Sequence, residues 1–131
     1  MCAVGSRAPR VAVLGGRRVV RALSGAGSEN ADSLVVEALD PTTVASGRYQ
    51  DPIDCLVLDG THPEVDAVEW ISRWTEERPA VPGIVLTGEW NEERVLEALH
   101  VGAAETLPRA IVDSDPELLA EQVSAAIDRA V

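Results

Sequence analysis

The sequence contains no lysine and no phenylalanine, so all 11 of its basic residues are arginine. Aromatic residues make up only 3% of its 131 positions, and 22 acidic residues give a formal net charge of -11. Such an acidic balance argues against non-specific binding to nucleic acid or to an anionic membrane, because both need a positive field. No apolar run approaches the roughly 18–20 residues of a membrane span, and the N-terminus lacks the apolar core of a signal peptide. We therefore expect a soluble, cytoplasmic protein.

Cysteine and histidine are also scarce, which limits metal and enzyme chemistry. The two cysteines are Cys2 and Cys55, and Cys55 lies within an apolar run, where a small buried side chain is the expected role. The two histidines, His62 and His100, have no cysteine pair nearby, so no zinc-type ligand spacing exists. No Ser-His-Asp or Cys-His arrangement is apparent either. We expect a protein that is not an enzyme and has no resident cofactor.

Charge is distributed unevenly along the chain. Residues 1–28 contain five arginines and no acid, whereas residues 29–131 contain six arginines and 22 acids, giving formal charges of +5 and -16. The basic segment is interpreted either as a solvated first helix with an arginine-rich tail or as a recognition surface for an anion or a partner. The acidic remainder is typical of a salt-adapted protein, which stays soluble at high ionic strength.

Hydrophobic periodicity predicts alternating strands and helices in one domain. Residues 1–9 are predicted to be a flexible tail and residues 10–131 a single domain, with 46% hydrophobic residues to fill its core. Because the connections are short, the pattern predicts an α/β fold with a parallel sheet covered on both faces. The predicted strands are 10–14, 34–38, 53–58, 83–86 and 105–107. A first helix is predicted to begin after Gly16, and the other predicted helices are 41–47, 64–77, 91–100 and 116–130.

Polar residues follow several of these strands at the edge where parallel sheets bind ligands. Gly15 and Gly16 follow the first strand, Asp59 the third, Thr87 the fourth and Arg109 the fifth. A carboxylate, a hydroxyl and a guanidinium at one edge of a sheet predict a functional site.

Two segments resemble the receiver domain of two-component response regulators. The segment IDCLVLDGTHPEVDA, residues 53–67, is similar to the family's phospho-acceptor segment, with Asp59 at the acceptor position, Pro63 four residues on and Asp66 seven residues on. The segment IVLTGEWNEERVLEALHVGAAETLPR is similar to the region that follows, with Thr87 at the family's switch hydroxyl. The resemblance implies a flavodoxin-like, doubly wound five-stranded sheet of strand order 2-1-3-4-5.

The resemblance also implies a phosphoryl-transfer site from which this sequence departs in three respects. Receiver domains hold Mg²⁺ with an acidic pair after the first strand, where this chain has Gly15 and Gly16. They contact the phosphoryl group with a lysine, which Arg109 replaces, and they couple the site to its partners through an aromatic residue, which Thr106 replaces. Mg²⁺ is therefore a doubtful ligand, held weakly at best by Asp59, the carbonyl of Thr61 and Glu89.

Two functions remain open for such a domain. In one, Asp59 still accepts a phosphoryl group with Mg²⁺, while Thr87 and Arg109 hold it. In the other, which we favour, the domain is a pseudo-receiver whose Asp59 is neutralised by Arg109, or by Arg17 or Arg18 from the first helix, and which binds partners without phosphorylation. A small-molecule-binding flavodoxin-like domain is a minor third alternative.

Protein partners are expected in either case: a histidine kinase, an output domain or a second copy, with no membrane and no direct nucleic-acid contact. The helix after the fourth strand, together with the fifth strand, is the predicted interface and the place to look for a homodimer. Its candidate residues are Trp90, Arg94, Glu97 and Glu105.

Overall fold

The computed structural model describes residues 9–15, 17–27, 35–39, 53–61, 66–78, 80–88 and 92–130. Within these ranges the strands are β1 (Arg10–Leu14), β2 (Val35–Leu39), β3 (Cys55–Asp59), β4 (Gly83–Thr87) and β5 (Glu105–Pro108). The helices are α1 (Arg17–Gly27), α2 (Ala67–Glu77), α3 (Glu92–His100), α4 (Ile111–Ser114) and α5 (Pro116–Ala130).

The five strands form one parallel sheet in the order β2-β1-β3-β4-β5. The order reverses between β1 and β3, because the chain moves from β1 outward to β2 and then crosses back to β3. In sheets of this kind the ends of the two strands that flank the reversal form the ligand-binding crevice. The structure thus confirms the predicted fold class and strand order, and it places the carboxyl end of β3 beside that of β1.

Alternating side chains of the central strands divide the core into two layers. Val11, Val13 and Val57 face α1 and α5, whereas Leu14 and Leu58 face α2 and α3. Strands buried on both faces are near-continuous apolar runs, which explains why the β1 and β3 segments were recognisable in the sequence.

Cys55 and Trp74 are both buried in this core, as predicted. Burial raises the pKa of the Cys55 thiol from 9.0 to about 12, and the neighbouring Asp54 carboxylate adds to the effect. A thiol with such a high pKa carries almost no thiolate at neutral pH, so Cys55 is unreactive in the folded protein.

Most predicted elements are confirmed with small shifts at their ends. The helix predicted from residue 64 begins instead at Ala67, because the Asp66 side chain caps it by accepting a hydrogen bond from the Glu69 N–H at 3.3 Å. The short helix α4 was not predicted, since four residues are too few to show helical periodicity. The predicted helix at 41–47 and the predicted tail, apart from Pro9, lie outside the described residues. Within the described chain no helix is both long and apolar enough to cross a membrane.

Candidate functional site

The carboxyl ends of β3, β4 and β5 bring three predicted site residues to one edge of the sheet. Asp59 is the last residue of β3, Thr87 is the last residue of β4, and Arg109 directly follows β5. The register pairs Asp59 with Leu86, and Thr87 with Pro108, so the three strands end almost level.

Asp59 is the centre of this edge and the only buried polar or charged residue in the described part of the chain. Its side chain is 4% exposed, and its Oδ2 accepts a hydrogen bond from Arg109 Nε at 3.1 Å. Its Oδ1 accepts two more, from the Thr61 hydroxyl at 2.6 Å and the Thr61 backbone N–H at 3.0 Å. Because a buried carboxylate needs partners for its charge, these three donors account for the burial of Asp59.

Local backbone geometry holds the two charged residues in place. The Asp59 side chain accepts from the N–H two residues on, an Asx turn that ends β3, while the Gly60 N–H donates to the Leu86 carbonyl at 2.8 Å. On the other side of β4, the Arg109 N–H donates to the Thr87 carbonyl at 2.7 Å and so extends the β4–β5 pairing past Pro108. The Arg109 side chain, 18% exposed, therefore starts from a fixed backbone position.

Gly15 lies against Asp59 at the end of β1. Its φ is +141°, a backbone conformation that residues other than glycine rarely adopt. A Cβ added at this position would overlap the Asp59 Cβ. The same added atom would lie 3.3 Å from both the backbone nitrogen and the Cα of Asp59. A residue with a side chain cannot occupy this position without moving β1 or β3.

Thr87 is half-buried, and the structure does not join it to Asp59. Its hydroxyl donates to the Leu107 carbonyl at 3.5 Å, which is the limit for a hydrogen bond. Thr106, at the position where the resemblance expects an aromatic ring, is also half-buried.

The first helix does not supply the charge that compensates Asp59 in the described structure. Arg18 lies 3.8 Å from the Asp113 carboxylate, both side chains are exposed, and Arg17 is exposed as well. These two arginines lie on the solvent side of α1, and Arg109 is the one of the three candidates for which the described structure shows an ion pair with Asp59.

Of the four predicted interface residues, the structure describes the side chains of two, Glu97 and Glu105, which lie on different elements. Glu97 of α3 lines a groove of about 410 Å³ between α2 and α3, together with Glu69 and Arg73. Glu105 of β5 alternates with Thr106, so it shares the sheet face of Leu107, which packs against the layer of α1 and α5. Trp90 and the side chain of Arg94 lie outside the described residues.

Sequence reasoning missed an apolar patch on α3. Leu96 is 64% exposed and Leu99 is 43% exposed, and the two are three residues apart, so they lie on the same face of the helix. Ala98, on the side of the helix opposite Leu96, is buried. The sequence signal for this patch was the position of the two leucines outside the buried face of the helix, which contains Ala98. That signal can be recognised only once the buried face of α3 is known.

The described residues alone supply no complete set of Mg²⁺ ligands. Both oxygens of Asp59 already accept hydrogen bonds, a side chain at Gly15 would overlap Asp59, and no group of three or more metal-ligating side chains occurs in the described ranges. Glu89, a predicted ligand, lies outside those ranges, as do Gly16, which replaces one of the family's acidic residues, and His62.

Comparison with solved structures places this arrangement in a known fold. A response regulator from Thermotoga maritima superposes with a TM-score of 0.78 at 20% identity, covering 93% of this chain and 99% of its own. The BeF3-activated DrrB receiver domain gives 0.76 at 21% identity, covering 94% and 100%. A CheY-like receiver domain protein from Methanospirillum hungatei JF-1 gives 0.76 at 14% identity, covering 95% and 97%. No protein-family model and no curated protein matches the sequence. The chain has the fold of response-regulator receiver domains.

Proposed function

We propose that this chain is a receiver-type signalling domain of a two-component system that binds its protein partners without being phosphorylated. The observation that carries the proposal is the ion pair between Arg109 Nε and Asp59 Oδ2, at 3.1 Å between two side chains that are largely removed from solvent. In this arrangement a cation of the chain itself occupies the position next to the acceptor carboxylate.

The contacts of Asp59 leave it a poor nucleophile. Attack on a phosphorus atom requires a carboxylate oxygen with a free lone pair directed at the donor, and electrostatic help for the charge that arrives. Oδ1 is engaged by both donors of Thr61, and Oδ2 is engaged by Arg109. A phosphoryl donor would have to displace Arg109, whose planar guanidinium group pairs more persistently with a carboxylate than a lysine ammonium does.

The residues around the ion pair also favour a single conformation. Thr87 already has a hydrogen-bond acceptor on β5, the Leu107 carbonyl, and Thr106 has no ring to move between two positions. The site therefore lacks the parts through which an added phosphoryl group would be sensed at the surface.

Partner binding is assigned to the protein surface rather than to Asp59. The exposed pair Leu96 and Leu99 on α3 offers apolar area, and acidic residues adjoin it on the same helix at Glu92 and Glu97. A kinase, an output domain or a second copy of the chain would bind this surface, whose conformation does not depend on phosphorylation of Asp59.

Phosphorylation chemistry provides the direct test. The purified protein is incubated with Mg²⁺ and acetyl phosphate, or with Mg²⁺ and beryllofluoride, beside a receiver domain known to accept phosphate, and intact mass and amide NMR spectra are recorded. We expect no mass increase and no spectral change near Asp59 in this chain, with full reaction of the control. A stable adduct that disappears in Asp59→Asn would refute the proposal and establish the phospho-accepting alternative.

A further inference from the structure

We infer that this chain binds a second copy of itself head to tail, with the arginine face of α1 on one copy against the groove between α2 and α3 on the next. The arginine face consists of Arg17, Arg18 and Arg21, which are all exposed. The inference goes beyond the proposed function, because this contact involves neither Asp59 nor its phosphorylation.

Most of the arginine face is unpaired in the described part of the chain. Its three residues occupy one arc of α1, on the side opposite the buried Leu23. Arg18 lies 3.8 Å from Asp113, but both side chains are well exposed, and such pairs contribute little. Arg17 and Arg21 take part in none of the ion pairs of the described residues. Two of the three cations therefore remain available to an acidic partner.

The groove between α2 and α3 carries the opposite charge. It has a volume of about 410 Å³, and its charged lining residues are Asp66, Glu69, Glu97 and Arg73, three carboxylates against one guanidinium. Arg73 lies 5.5 Å from the centre of the Trp70 ring, a cation–π contact. Neither Glu69 nor Glu97 takes part in the ion pairs of the described residues. These two carboxylates match the two unpaired arginines of α1 in number and are opposite in charge.

The groove also has apolar surface inside it and beside it. Val68 and Val101 line it, and Leu96 and Leu99 are exposed on the helix that supplies Glu97. A specific interface covers about 800 Å² on each partner, so a copy seated in the groove also covers the neighbouring face of α3. The methylene stems of arginines pack on such apolar surface while their guanidinium groups reach the carboxylates.

The positions of the two surfaces in the fold determine how copies join. α1 packs in the core layer of Val19 and Leu23, whereas α2 and α3 pack in the layer of Ile71 and Ala98, on the other side of the sheet. The two surfaces therefore cannot meet within one chain. A contact between them joins different patches of two copies and leaves one patch free on each copy. Such head-to-tail contacts continue into chains or close into rings.

The charge distribution favours a second copy as the partner. Residues 1–28 have a formal charge of +5 and residues 29–131 one of -16, so each copy brings the acidic counterpart of its own arginine face. A nucleic acid presents a continuous negative charge, which the net charge of -11 repels. Two copies dock with opposite charges in contact, and repulsion between their other acids is largely screened beyond about 8 Å at physiological ionic strength.

Two neutralised variants test the contact. Arg17→Gln with Arg21→Gln removes the α1 charges, and Glu69→Gln with Glu97→Gln removes the groove charges. Glutamine is used because reversed charges would create a new contact in mixtures. Sedimentation velocity and light scattering measure the mass of each protein over a range of concentrations at low and high KCl. We expect the unaltered protein to associate beyond a dimer at low KCl and to dissociate at high KCl, and each variant alone to stay monomeric.

A mixture of the two variants gives the decisive result. The intact groove of the α1 variant accepts the intact α1 of the groove variant, so we expect a one-to-one complex that does not grow with concentration. Glu76→Gln with Glu77→Gln is the matched control, because both residues are exposed on α2 and neither lines the groove. This control should associate like the unaltered protein.

Four results would overturn the inference: a monomeric unaltered protein, a neutralised variant that still associates, a mixture that stays monomeric, or a control that loses association. If the unaltered protein stayed monomeric but bound a polyglutamate peptide through Arg17 and Arg21, α1 would serve a different acidic partner. None of these results involves the reaction with acetyl phosphate, so the proposed function stands or falls separately.

Discussion

Replacing Arg109 with alanine should destabilise the fold strongly, because it leaves the buried Asp59 charge without its cation. Removing one partner of a buried ion pair costs about 3–5 kcal/mol. Asp59 is 4% exposed but keeps both donors of Thr61, and Arg109 is 18% exposed, so the lower end of that range applies. We expect a loss of about 3 kcal/mol, which corresponds to roughly 10 °C in melting temperature for a domain of this size.

Companion variants separate the charge from the packing. Asp59→Asn keeps an acceptor for Thr61 and leaves Arg109 free to turn toward solvent, so we expect a loss of only about 1–2 kcal/mol. Combining Asp59→Asn with Arg109→Ala removes the unpaired charge and should recover more than half of the loss in Arg109→Ala. Arg109→Lys should fall between the unaltered protein and Arg109→Ala, since an ammonium group keeps the charge but not the fixed geometry.

Urea denaturation followed by tryptophan fluorescence is the appropriate assay, because Trp74 is buried in the core and reports loss of packing. An unchanged urea slope ensures that a shifted midpoint reflects stability. A loss below about 1 kcal/mol in Arg109→Ala would be the value of a solvent-exposed pair. That result, or a double variant no more stable than Arg109→Ala, would refute the reasoning that Arg109 compensates a buried Asp59.

The positions of Asp59, Thr87 and Arg109 at one edge of the sheet were predictable from the sequence. Each lies at or just after the end of a strand, and parallel strands end at the same edge. The strands themselves were recognisable because β1 and β3 are short runs of branched apolar residues.

Side-chain partners at that edge could not be predicted in the same way. Arg17, Arg18 and Arg109 were all within plausible reach of Asp59, and only the three-dimensional position of α1 shows that Arg18 lies beside Asp113. The role of Gly15 was equally hidden, because a Gly-Gly pair is an ordinary turn signal. Its positive φ and its contact with Asp59 depend on how two strands that are distant in sequence are paired.

The remaining predictions concern the surface and the core. Raising the KCl concentration should raise the melting temperature, because salt screens the repulsion within a chain of formal charge -11, and an unchanged melting temperature would contradict salt adaptation. Leu96→Glu should weaken any self-association measured by light scattering while changing stability little, since Leu96 is exposed; a retained oligomer would exclude this patch of α3 as the dimer contact. Cys55, studied in a Cys2→Ser background, should react with a thiol reagent only on unfolding, because burial raises its pKa to about 12. Ionisation of this thiol therefore favours the unfolded state. Its contribution to stability is complete below pH 9 and is lost as the pH rises toward 12, by at most about 1.4 kcal/mol per pH unit. Denaturation at several alkaline pH values should show that decline in the protein with Cys55 and a shallower one in Cys55→Ala. Identical declines in the two proteins would mean that the folded state does not oppose ionisation of Cys55.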